Sequence, residues 1–417
     1  MEIKRDLYLD KLKSSEHNGL IKVITGVRRA GKSYILFNLF SKYLIAKGIK
    51  DENIIKIQLD NIKFIDLRDP KLLYKYITSK IINDDLHYIL IDEIQFVENF
   101  TDLLNGLLYI NNVDIYVTGS NSKFLSSDVI TEFRGRGDEI RIFPLSFSEF
   151  FSVYNGTFEE AFDEYMIYGG LPRIISMESD EKKSQYLKNL FRETYLVDIV
   201  ERNKIRNTSN LEEIVNIISS SIGSLTNPKK LENTFKSVKK STITDDTIKS
   251  YLEALKESFL IDAAMQYDVK GKKYINSPMK YYFVDVGLRN ARLNFRQIEE
   301  THLMENIIYN QLKVRSFNVD IGVVKIRELN TKNKLLRKKL EIDFIASKGI
   351  KKYYIQSAYS LPSEEKKEQE KRPFRNINDS FKKIIILGKV IKPRIDESGI
   401  MIIGIKDFLL KEDIFDF

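Results

Sequence analysis

Eight consecutive residues, Gly26-Val27-Arg28-Arg29-Ala30-Gly31-Lys32-Ser33, constrain this chain more than any other stretch. They read G-x-x-x-x-G-K-S. The run before them, from Ile21 to Thr25, predicts a short buried strand, and the run after them, from Tyr34 to Ile45, predicts a helix. A strand that turns through glycines into a helix aims several backbone N–H groups, and the positive end of the helix dipole, at one point. A phosphate fits that point. Lys32 is expected to reach the β- and γ-phosphates, and the Ser33 hydroxyl to take a Mg²⁺ ligand position. Gly26 and Gly31 keep the turn free of a Cβ. The expected cradle is therefore Gly26, Val27, Arg28, Arg29, Ala30, Gly31, Lys32, Ser33 and Tyr34.

Buried apolar runs recur downstream: Ile54–Leu59, His87–Asp92, Val113–Thr118 and, as a fifth candidate, Ile140–Leu145. Segments of helical spacing separate them. Continuous apolar strands alternating with helices predict a parallel α/β sheet. From Ser146 to about Arg206 the pattern is helical, opened by Ser146 and Glu149 in capping-box spacing. Tyr168-Gly169-Gly170-Leu171-Pro172 breaks it. Helices are expected over 211–222, 228–240 and from Thr244 to Ser258. A strand over Phe259–Tyr267, a turn at Lys270-Gly271-Lys272-Lys273 and a return strand then complete the order of a winged helix. A last region holds a helix over Glu299–Val314 and strands at 323–326, 341–345, 353–357 and 383–387. The charge run from Glu364 to Arg372 is expected to be a solvated helix or loop. The expected divisions are 1–150, 151–205, 206–280 and 281–417.

The chain has 417 residues, a formal net charge of +8 and no cysteine. Absence of cysteine removes disulfides, thiolate metal sites and a thiol nucleophile. No apolar run reaches transmembrane length and the first residues are charged, so no membrane partner and a cytoplasmic location are expected. The basic balance suits an acidic partner such as nucleic acid.

The third apolar run ends in Asp92-Glu93. A buried strand that delivers a carboxylate at its end suits Mg²⁺ coordination by Asp92, and the adjacent Glu93 suits polarisation of an attacking water. The next strand ends in Thr118-Gly119-Ser120-Asn121, where Ser120 or Asn121 could sense the γ-phosphate. Arg136 is the first candidate for an arginine finger and Arg134 the alternative, because a planar permanent cation suits charge developing on a phosphoryl group. A finger supplied in trans would require a homo-oligomer.

The series GVRRAGKS, LIDEIQ, VTGSNSKFLS, FRGRGDEI, PLSFSEF and YGGLPR resembles the prokaryotic AAA+ ATPases that carry a C-terminal domain of unknown function. The resemblance implies ATP as nucleotide, in agreement with the lack of an N-K-x-D guanine-reading motif, and a winged helix in the middle of the chain. It also implies a C-terminal α/β domain similar to the restriction-endonuclease fold, with Glu305 and Asp343 at its acid positions, Gln356 at the first position of its Glu/Gln-x-Lys pattern and Ala358 where the lysine is expected; Lys351 and Lys352 lie nearby on the wrong side. The departure at Ala358 favours a degenerate domain over a nuclease. Three functions follow as expectations, in descending order: an ATP-hydrolysing motor or switch, a DNA-binding protein set by ATP with little turnover, and an ATP-dependent nuclease. In the second, the wing lysines Lys270, Lys272 and Lys273 would supply phosphate contacts, since the helix before them begins with Asp245 and Asp246.

Overall fold

The computed structural model describes residues 3–119, 135–239, 243–329 and 335–415. They form two compact units, Met1–Pro144 with Glu257–Phe259, and Leu145–Lys256 with Leu260–Phe417.

In the first unit, β1 (Ile21–Thr25), β2 (Ile54–Gln58), β3 (His87–Asp92), β4 (Val113–Thr118) and β5 (Gly137–Arg141) make a parallel sheet in the order β2-β3-β4-β1-β5. Ile21, Val23, Ile55, Ile57, Ile89, Ile91, Ile115 and Val117 pack into one core with Leu73 and Ile77 of the helix Pro70–Lys80. Such runs of β-branched residues suit strands covered on both faces. Asp69 starts that helix by accepting from the N–H groups of Lys71 and Leu72 at 2.8 and 2.9 Å, with Pro70 in its first turn.

One strand lies earlier than the apolar run suggested. β5 begins at Gly137, whereas Ile142, Phe143 and Leu145 are buried beyond its end. β5 is an edge strand, so its sequence mixes exposed and half-buried positions. Of the apolar residues that follow it, Ile142 still donates its N–H to the Thr25 carbonyl at 2.8 Å, and Phe143 and Leu145 fill core.

In the second unit, Ser146 and Glu149 form the expected capping box at the start of the helix Phe147–Phe151. The helix Phe158–Tyr168 ends at Gly169, whose φ of 73° suits glycine. The break that follows docks on the helix Val286–Arg292: Gly170 N–H donates to Asp285 Oδ2 at 2.8 Å, and Asn290 Nδ2 donates to the carbonyls of Met166 and Ile167. A Cβ on Gly169 would stand 2.3 Å from Asp285 Oδ1, and one on Gly287 2.0 Å from the Tyr168 carbonyl oxygen. The motif is thus a close backbone contact that side chains would prevent.

Helices Thr208–Ser220, Pro228–Lys239 and Asp245–Glu257 precede β6 (Ile261–Asp268) and β7 (Lys273–Phe283). That is the helix and hairpin order the sequence suggests. The hairpin, however, belongs to an eight-stranded sheet in the order β12-β13-β11-β10-β9-β8-β6-β7. Its other members are β8 (Asn318–Leu329), β9 (Leu335–Lys348), β10 (Lys351–Ala358), β11 (Lys382–Leu387), β12 (Arg394–Ile395) and β13 (Met401–Gly404). The link is the parallel pairing of Gln266, Tyr267 and Asp268 with Ile321, Gly322 and Val323. A division at 280 therefore falls inside β7. The charge run Glu364–Arg375 is a helix capped by Ser363.

Candidate functional site

β1 lies between β4 and β5, and the glycine loop leaves its C-terminal end. Gly26 has φ 135°, and a Cβ there would stand 2.1 Å from the Ile142 carbonyl oxygen. Arg29 and Gly31 take φ 64° and 96°, and the helix begins at Lys32. Positive φ at these turns directs successive N–H groups toward a common centre. Lys32 is buried, and its ammonium donates to the carbonyls of Gly26 at 2.9 Å and Val27 at 3.2 Å. These carbonyls are neutral acceptors that a phosphate oxygen, being charged, would outcompete.

β3 carries Asp92 to the same edge of the sheet, where its carboxyl is hydrogen-bonded by the hydroxyls of Thr118 and Ser33. Burial pushes Asp92 above the usual carboxylate range, and these two hydroxyls only partly offset it. Its partners among the described residues are hydroxyls rather than cations. A buried carboxylate beside a serine hydroxyl, with no counter-cation, fits a small hard cation such as Mg²⁺. Glu93 follows with φ 54°; its N–H donates to Thr118 Oγ1 at 3.0 Å and its carboxylate accepts from Gln95 Nε2. Thr118 therefore ties Asp92 to the backbone of Glu93. The sequence pointed instead to Ser120 and Asn121, which lie outside the described residues, as does Arg134. The signal that could have found Thr118 is its place as the last residue of β4, beside the strand that ends in Asp92.

Arg136 does not meet this cluster within the chain. It precedes Gly137, which pairs with Ile21 at the start of β1, while the loop leaves the other end. Its carbonyl accepts from Ile21 N–H, and its guanidinium lies 5.9 Å from the Tyr109 ring centre. Behind the loop, the Thr25 hydroxyl donates to Glu139 at 2.7 Å.

A second polar cluster lies in the eight-stranded sheet and its covering helix. Lys280 of β7 is buried and reaches Glu305 at 2.9 Å, Glu341 at 2.7 Å and Asp343 at 3.9 Å. Tyr282 also donates to Glu305, at 2.7 Å. Gln356 accepts from the Asp343 N–H and donates to Glu370, and Asp343 Oδ2 accepts from the Ser357 N–H. Burial and the neighbouring Glu305 push Asp343 up, while Lys280 pulls it back. Glu305, Asp343 and Gln356 thus lie in one network, and the cation within it comes from a residue the sequence did not single out. Ala358 instead packs in an apolar cluster with Phe374. Lys351 and Lys352 stand at the opposite end of β10, the latter near the rings of Tyr267, Tyr354 and Phe381. A cleft of about 850 Å³ opens beside Glu341, Asp343 and Gln356.

Comparison with known proteins adds three findings. Residues 18–151 match a family described as an AAA domain, and residues 159–299 a domain of unknown function (DUF8612). A protein of Haemophilus influenzae is 34% identical over 415 residues, which cover 98% of this chain and 99% of that protein. One of Methanocaldococcus jannaschii is 31% identical over 368 residues, covering 84% and 77%. Both are described as uncharacterized proteins. Among solved structures, a Walker-type ATPase of Pyrococcus abyssi matches with a TM-score of 0.51 at 16% identity, over 70% of this chain and 96% of that one. At that identity the likeness is one of fold.

Proposed function

Because this chain belongs to the family of P-loop ATPases that carry this AAA domain, we propose that it hydrolyses ATP with Mg²⁺ and uses the cycle as a motor or switch. The observation that carries the reading is Asp92: buried, bonded to Ser33 and Thr118, and with no cation partner among the described residues, at the end of the sheet where the glycine loop begins.

The N–H groups of Gly26 to Ser33 receive the β- and γ-phosphates, and Lys32 exchanges its carbonyl partners for phosphate oxygens. Ser33 and Asp92 would hold Mg²⁺, which supplies charge neutralisation on the phosphates. Glu93 orients and polarises the attacking water. Gln95 holds one of its carboxylate oxygens and so helps to orient the group. Thr118 keeps Asp92 and Glu93 in register with one another. The position of Arg136 supports a finger acting only from a second copy of the chain, within a homo-oligomer. DNA is the target in this reading, supported by the charge of +8. The caged Lys280 favours a C-terminal region used for binding over one that cleaves.

Steady-state hydrolysis tests the reading. Purified protein with Mg²⁺ should release phosphate, and EDTA, Lys32→Ala and Glu93→Gln should each stop it. No release at high protein concentration, with and without DNA, would leave ATP as a bound effector of a DNA-binding protein.

A further inference from the structure

We propose that the two-stranded ribbon made by the distal halves of β8 and β9 is a docking surface for double-stranded DNA. The proposal rests on the reading that DNA is the target and assigns the surface that meets it.

Between Lys325 and Lys339 the sequence has seven cations and one acid, Glu328. The register sets cation against cation: Arg327 pairs with Arg337, and Lys325 with Lys339. Directly opposed side chains of an antiparallel pair lie on one face, about 5 Å apart at Cβ, and like charges placed so are destabilising. Solubility calls for surface charge, but it does not call for cations opposite cations. All four residues are exposed. Lys325 reaches Asp268 at 2.6 Å; Arg327, Arg337 and Lys339 have no carboxylate partner among the described residues. Glu328, the single acid, is engaged by Arg372 of the neighbouring helix. The face is therefore a row of unneutralised charge that a polyanion would relieve.

Geometry narrows the polyanion. The pairing of β9 with β10 runs from Lys348 to Phe344, and that of β8 with β6 ends at Val323. From Val324–Leu340 to Leu329–Leu335 the two strands pair with each other alone among the described strands. Six residue pairs span roughly 17 Å at about 3.3 Å per residue. Val324, Ile326 and Leu340 pack in a cluster with Phe374 of the helix Glu364–Arg375, which leaves the cation-bearing face open. A two-stranded ribbon fits the major groove of B-form DNA, about 12 Å wide, with cations at the flanking phosphates. The deep, narrow major groove of duplex RNA does not admit it.

The turn between β6 and β7 enlarges the surface. Val269 N–H donates to the Val323 carbonyl, so Lys270, Lys272 and Lys273, all exposed, stand at the base of the ribbon. The lysines that a winged helix would place on a wing are thus here next to a second, longer basic hairpin in the same sheet.

Fluorescence anisotropy of a labelled 30-base-pair duplex, with full-length protein between 50 and 200 mM NaCl, tests the proposal. The triple variant Arg327→Ala/Arg337→Ala/Lys339→Ala should bind at least tenfold more weakly. Its slope of log K against log salt should be shallower by about 2–3, given roughly 0.9 per lost phosphate contact. Replacing both arginines by lysine should keep most of that slope. Unchanged basal ATP turnover reports that the triple variant is folded; if it is not, the single reversal Arg337→Glu carries the test with the same expected direction. Wild-type binding with unchanged affinity and slope in these variants overturns the ribbon assignment alone. Failure of the wild type to bind duplex at 50 mM NaCl overturns DNA as target as well. Displacement of the duplex by polyglutamate, or equal affinity for duplex RNA, also overturns the assignment to DNA.

Discussion

Two buried lysines, Lys32 and Lys280, hold opposite positions in this molecule. Lys32 donates to two backbone carbonyls, and the carboxylate at the same end of the sheet, Asp92, has hydroxyl partners among the described residues. Lys280 sits among Glu305, Glu341 and Asp343. The first arrangement sets a lysine on backbone carbonyls and a carboxylate on hydroxyls, where the proposed phosphate and metal would bind. In the second the lysine is more than balanced by its neighbours, and those carboxylates push it still further toward the charged form, against the opposing effect of burial. Burial of charge thus serves ligand binding at one end of the chain and cohesion at the other.

That contrast can be broken by substitution. Lys32→Ala should lower ATP turnover by two to three orders of magnitude, the scale of losing one preorganised donor to a developing anion, while the melting temperature hardly moves. Lys280→Met should do the reverse. It leaves the buried Glu305, with the partly buried Asp343 and Glu341, without their cation, a loss of roughly 3 kcal/mol in urea unfolding, with turnover retained below the transition. If Lys280→Met were as stable as wild type, the second cluster would not be a cohesive element.

Two smaller effects sharpen the comparison. Thr118→Val removes the donor to Asp92 and strands the Glu93 N–H, so turnover should fall about tenfold, near 1.4 kcal/mol, with KM for ATP little changed. Asp285, buried at the docked break, supplies a pH effect. Burial lifts its carboxyl to about 6 in the folded chain, above its ordinary value near 4. The folded state then binds the proton more tightly, so this contribution is complete below pH ~4 and is lost as the pH rises to about 6. The melting temperature of wild type should therefore decline across that window relative to Asp285→Asn.

The nucleotide site was legible because its parts are local: a strand, a loop and a helix in one continuous stretch, and Asp92-Glu93 at the end of one apolar run. Thr118 at the end of β4 drew no notice, since a threonine inside an apolar strand looks less like a sensor than Ser120 and Asn121, which lie outside the described residues. The C-terminal sheet was less legible. β6 joins it through a parallel partner more than fifty residues on, and local periodicity carries no trace of such a pairing. Lys280 sits in Met-Lys-Tyr-Tyr-Phe, where nothing distinguishes a buried ammonium from an exposed one. Its acidic partners come from a helix and a different strand. The ribbon cations read as ordinary surface charge until the register set them opposite one another.

The contact between Gly170 and Asp285 also has a consequence for synthesis on the ribosome. The helix Phe158–Tyr168, with Phe158, Phe162 and Tyr165 packed around Phe147, leaves the exit tunnel long before the residue that anchors its end. At about 5–20 residues per second, the 115 residues between Gly170 and Asp285 take on the order of ten seconds to appear. The five strands of the nucleotide-binding sheet are all translated before that wait begins. The nascent chain thus passes through an interval in which its first domain can close while an aromatic helix stands undocked. That interval is when a holding chaperone would find the most to bind.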